Sequence, residues 1–211
     1  MGSTKIFFNF SYGYLFRTRL EVFMEKSNAK KVAFYGVMSA LTFVFLLIET
    51  FVFSAFLGNF TPAILTLPLA VALSLFNGKK GMFVGGTIFG CCSFFLAVCI
   101  SNVVFLNPLV SILPRVFIGI VAYFVYFIVN KLFSNSESKF LKDVLPYSLA
   151  GAFGILTNTV CTIFMMWVFN ASEIAAVMTV ILSFNFLAEV IGSIVLVPIY
   201  VNVFKKVQRR L

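Results

Sequence analysis

NPLVSILPRVFIGIVAYFVYFIVNK, residues 107–131, is apolar over the thickness of a bilayer except at Arg115. About 20 such residues in a helix cross a hydrocarbon core, so the stretch predicts a transmembrane helix with a charge inside it. A guanidinium keeps its proton in a protein, and in hydrocarbon it must be paired, wetted or bound. The rest of the chain is read around that requirement.

Of the 211 residues, 61% are hydrophobic and 11% charged, whereas about a quarter of a globular protein's residues are charged. The fold class is therefore an all-α integral membrane protein, with 29 Phe suited to lipid-facing surfaces. The absence of His removes the usual imidazole base and metal ligand. That argues against metalloproteases and against intramembrane prenyl-protein proteases or acyltransferases. The net charge of +9 comes from Lys and Arg at the ends of apolar runs, a topology signal rather than a nucleic-acid-binding face. Cys91, Cys92, Cys99 and Cys161 lie within apolar runs without paired spacing and read as small, reduced core residues. No cleavable signal is expected, because the first apolar run begins only after Lys31.

Two regions follow. Residues 1–31 form a basic, aromatic segment, either an interfacial helix or a cytoplasmic tail, and residues 32–211 a membrane domain of six transmembrane helices. The expected spans are Val32 to Phe56, Thr61 to Phe76, Gly81 to about Val104, Asn107 to Lys131, Val144 to Asn170 and Ala175 to about Val203. The second is short and holds Pro62 and Pro68, so a broken or tilted helix is expected there. In the third, Gly81, Gly85, Gly86 and Gly90 make a seam for close helix packing. Lys and Arg concentrate in residues 1–31, 77–80, 131–143 and 205–210 and are absent from turns 57–60, 101–107 and 170–174. Both termini are thereby placed in the cytoplasm.

At about 1.5 Å per residue, Arg115 lies roughly 6 Å to the outer side of its span's midpoint and Glu49 roughly 7 Å above its own. Thr162 and Asn185 reach similar heights, with Asn158 and Glu189 about one turn deeper. This layer suits an outward-opening pocket. Ser111, Arg115, Gly119, Ala122 and Tyr126 share one helical face. If the regular helix starts at Pro114, Arg115 sits at an anion-favouring helix N-terminus. If it starts at Pro108 with Asn107 as cap, the kink at Pro114 bares a carbonyl near the pocket. A purely structural alternative pairs Arg115 with Glu49 or Glu189. Asn158 and Asn185 serve equally as interhelical glue, and Trp167 as an interfacial anchor or a ligand-stacking ring. The residues that could line a substrate pocket are thus Glu49, Asn107, Ser111, Arg115, Tyr126, Asn158, Thr162, Trp167, Asn185 and Glu189.

The six spans, the small residues Ala33, Gly36 and Ala40 on one face of the first, and NPLVSILPR followed by Gly119 in the fourth resemble the substrate-binding S component of an energy-coupling factor (ECF) vitamin transporter. The NPLVSILPR string is most similar to the folate and pantothenate branch. The architectural likeness runs from Val32 to the C-terminus and leaves residues 1–31 unexplained. It implies a multi-pass protein of the cell membrane, of the Gram-positive bacterial type. Such a protein captures a carboxylate-bearing vitamin outside and docks on the transmembrane coupling subunit EcfT with two ATPase subunits. The family's AxxxA docking motif falls on Gly36 and Ala40, with Gly in its first position and Ala33 one turn earlier. No cofactor is then bound by this chain and no covalent chemistry is its own. ATP and Mg belong to the partners, in keeping with the lack of GxxxxGK[ST] here. A single outer-half cation suits the monocarboxylate pantothenate, with folate as the alternative. A self-sufficient secondary transporter is the reading from another class, against which the two halves show no internal repeat.

Overall fold

The computed structural model describes residues 29–57, 61–76, 78–102, 105–134, 136–169 and 172–210, and within 172–210 the side chains of residues 172–178, 181–183 and 208–210 are not among those described. The segment 1–28, most of the basic region singled out above, lies outside these. The described residues fall into two compact units divided between Met38 and Ser39. Residues 29–38 of the first are helical, and the features below belong to the second apart from Ala33 and Gly36.

All regular structure among the described residues is helical. We number the helices α1 (the span Ala29–Phe56), α2 (Thr66–Phe76), α3 (Val84–Cys99), α4 (Pro108–Leu132), α5 (Lys139–Asp143), α6 (Leu145–Phe169) and α7 (Ser172–Arg210). Five segments are long and apolar enough to cross a membrane: Ala29–Phe56, Gly78–Cys99, Pro108–Leu132, Leu145–Phe169 and Phe184–Val207. The second expected span is instead an 11-residue helix, about 16 Å long at 1.5 Å per residue and too short for the hydrocarbon core. It is not broken. Pro62 precedes the helix and Pro68 falls in its first turn, where the missing amide has no intrahelical acceptor to lose.

α2 forms the core. Every residue from Thr66 to Leu75 is buried, and α2 packs against α3, α4, α6 and α7. The bundle closes around it through glycines. A Cβ on Gly85 would strike the Ala70 carbonyl oxygen, one on Gly86 that of Arg115, and one on Gly119 that of Met82. The glycine seam of α3 is thus a site of backbone contact, as the spacing predicts, and small residues are what permit it.

The outward faces carry the phenylalanines: Phe51, Phe56, Phe95, Phe124, Phe127, Phe164 and Phe184 are all exposed, as a lipid-facing surface requires. The cysteines are free, but Cys91 and Cys99 are exposed and Cys92 and Cys161 half-buried. They are not core residues as expected: on α3, which carries Cys91, Cys92 and Cys99, the glycines take the interior face.

Candidate functional site

α4 starts at Pro108. Asn107 is its cap, extended at φ −77° and ψ 117°, and its side chain accepts from the Leu109 amide at 3.0 Å. Pro108 at the first position suits a helix start. Arg115 therefore lies in the second turn of a continuous helix, and the reading that starts the helix at Pro114 is overturned. Inside the helix Pro114 has no amide to offer the carbonyl four residues back, and that carbonyl belongs to Val110. Arg115 Nη1 donates to it at 2.7 Å.

Arg115 is 6% exposed as a residue, and its guanidinium lies 5.1 Å from the Phe105 ring centroid and 5.5 Å from that of Phe89. Aromatic faces attract such a cation, by about 2 kcal/mol when desolvated. Ser111 holds the preceding turn by donating to the Phe105 carbonyl at 2.5 Å. Phe89 comes within reach because Gly86 and Gly90 let α3 lie against Arg115 and Ile112. Both rings escaped the sequence reading. Phe89 was signalled by its place between two seam glycines, while Phe105 carries no mark beyond its nearness to the Asn107 cap.

Packing contacts fix which residues share the arginine's level. Val110 packs against Met166, and a Cβ on Gly154 would lie 3.3 Å from Ile118 and 3.5 Å from Ala122. Asn158 and Thr162 fall between these points on α6, level with Ser111 to Arg115. On α7, Ser193 and Val197 face Gly151, so Glu189 and Asn185 follow at the level of Asn158 and Thr162. All of these residues are buried. Among the described residues, Arg115 Nε, Asn158 Oδ1 and Thr162 Oγ1 are buried polar atoms without a hydrogen-bond partner. Buried polar groups are ordinarily bonded, so three unanswered atoms on two facing helices single out this layer.

Neither acid forms an ion pair with Arg115 among the described residues. Glu49, 3% exposed, accepts through Oε1 from the Leu65 amide at 2.5 Å and the Thr66 amide at 3.0 Å, and through Oε2 from the Thr66 hydroxyl. Those amides belong to the start of α2, where a helix leaves its first N–H groups unbonded and favours negative charge. Glu49 is a cap supplied from another helix. It sits in a π-helical turn, Ile48–Phe53, an irregularity found often at functional sites. Glu189 accepts from the Ala63 amide at 3.0 Å, so the two acids hold one short segment, 63–66.

Tyr126 and Trp167 are not gathered in. Tyr126 is eleven residues from Arg115, about 16 Å along the helix. It stacks on Tyr147 with centroids 4.8 Å apart and hydroxyls 3.3 Å apart, and Lys205 Nζ donates to Tyr147 at 2.8 Å. Trp167 is 51% exposed on the outside of α6. Ala33, Gly36 and Ala40 are exposed as well. No group of His, Cys, Asp and Glu that could hold a metal ion occurs among the described residues.

Over 204 residues the chain is 26% identical to the pantothenic acid transporter PanT of Lactococcus lactis subsp. cremoris (strain MG1363), covering 87% of this chain and 97% of that protein. The likeness is to a transporter. No protein-family model and no solved structure matches the chain. The apolar helices and this similarity together describe an all-helical, multi-pass membrane protein.

Proposed function

We propose that the chain is the membrane-embedded substrate-binding S component of an ECF-type, ATP-driven vitamin transporter, and that its ligand is pantothenate. One observation carries the reading: a buried guanidinium whose Nε is unbonded and which, among the described residues, makes no ion pair although Glu189 lies near enough to act on it, at the level of an unanswered amide oxygen and hydroxyl. A buried charge without a directly bonded counter-ion is costly, and a ligand carboxylate lowers the cost. Asn158 Oδ1 calls for a donor and Thr162 Oγ1 accepts or gives a proton, which the hydroxyls and amide N–H of pantothenate satisfy. The similarity to a protein named for pantothenic acid points the same way.

In this reading α2 is the short second crossing of a six-helix bundle with both termini in the cytoplasm, kept from lipid by its neighbours. Asn185, Asn107 and Ser111 complete or brace the site. The chain itself binds no cofactor, ATP and Mg serving the two ATPase subunits that join it through the coupling subunit. Ala33, Gly36 and Ala40 form the docking face, for which their exposure leaves room.

Binding of labelled pantothenate to the purified chain, with Arg115→Ala beside it, tests the ligand. Failure of the wild-type chain to bind, or unchanged binding by the variant, refutes the site. Gly36→Leu and Ala40→Leu are expected to keep binding and to block assembly with the coupling subunits in a pull-down. Uptake into vesicles that hold this chain alone would favour the secondary-transporter reading.

A further inference from the structure

The guanidinium's pose depends on a residue that touches no ligand. Val110 is fully buried, packed against Met166 and Phe105, so its carbonyl has no water to turn to. In an uninterrupted helix the amide of residue 114 would bond it. Residue 114 is proline, and the oxygen instead takes Nη1 of Arg115 at 2.7 Å. The arginine is thereby folded back along its own helix toward Phe105, whose ring lies 5.1 Å from Cζ, with Phe89 at 5.5 Å. With one nitrogen tied to the backbone and the plane flanked by rings, Nε is left buried and unbonded.

We infer that Pro114 is a positioning residue: by withholding one backbone hydrogen it creates the acceptor that fixes Arg115 in advance for an anion. The inference rests on the proposed carboxylate site and deepens it. A flexible arginine would lose rotamer freedom when the ligand arrives, and a held one has already lost it. The helix loses a backbone bond at Pro114, and the guanidinium replaces it.

Pro114→Ala restores the amide, as does Pro114→Val with a side chain closer in size to proline. Either lets Val110 bond within the helix and releases Nη1. The expected result is a loss of about tenfold in affinity for pantothenate, the scale of one charge-assisted hydrogen bond. The neutral analogue with a primary alcohol in place of the carboxylate is expected to bind as before, so that acid-over-alcohol selectivity shrinks. Thermal stability is not expected to fall, because a helix interior gains from losing proline. An unchanged selectivity ratio in both variants, or equal losses for acid and alcohol, overturns the inference. A readout that needs no ligand separates it from the functional proposal. With ¹⁵N-labelled arginine, and Arg115→Lys to assign the signal, the wild-type guanidinium is expected to show slow rotation with distinct Nη resonances. Both proline variants are expected to average them. Distinct resonances that persist without Pro114 refute the positioning role, whereas a rigid guanidinium in a chain that binds no pantothenate refutes only the ligand.

Discussion

Two places in this bundle bury charge, and they treat it oppositely. On the α1 and α7 side, Glu49 and Glu189 are bonded to backbone amides of residues 63–66 and the Thr66 hydroxyl. On the α4 side, Arg115 has one backbone carbonyl, two aromatic rings and an Nε with nothing to bond. The acids answer a structural need, the start of a helix that must lie buried. The base answers a smaller one, the single Val110 carbonyl that Pro114 leaves without an amide, and its Nε is left over. Opposite charges within one bundle do not make an ion pair by default; what each is bonded to tells which holds the fold and which is held for something else.

The contrast breaks most sharply at Arg115. Arg115→Ala is expected to weaken pantothenate binding by on the order of 100-fold, the truncation cost of one partner in a buried charge contact, with a stability loss of about 1 kcal/mol from the Val110 carbonyl left unbonded. Calorimetry beside a melting curve decides. Glu49→Ala should do the reverse. Stranding two amides and a hydroxyl costs about 3 kcal/mol, visible as a lower melting temperature, with a smaller effect on affinity than Arg115→Ala. If Glu49→Ala melts like wild type yet cannot bind, the division between the two sides is wrong. Thr162→Val removes one unanswered hydroxyl at nearly constant volume and is expected to cost about 1 kcal/mol, or roughly fivefold in affinity. Tyr126→Phe should change affinity by no more than about twofold. A larger effect would extend the site toward the Tyr147 and Lys205 cluster.

Much of this was legible in the chain. The apolar runs and their lengths identify the long helices, and the steps of four through Asn185, Glu189 and Ser193 mark a buried face of α7. Asn107 followed by Pro108 offered one of two starts for α4, the other being Pro114, and the structure takes the first. The partners of the acids were not legible, because a carboxylate at residue 49 that caps a helix at residue 66 is a long-range contact with no periodicity. The same is true of the rings around Arg115, which come from another helix and from a turn. Tyr126 shows what a shared face leaves open: it fixes direction but not height, and Tyr126 lies about 16 Å along the helix from Arg115.

Gly86 has a last consequence, for motion. Its missing side chain lets α3 rest on the backbone carbonyl of Arg115, as Gly90 lets it rest on Ile112, while Gly119 lets α4 rest on the backbone of Met82. Close-packed backbones resist sliding, since any displacement drives atoms into occupied space. α3 and α4 are therefore locked together along this seam, with Phe89 and Arg115 held in fixed relation.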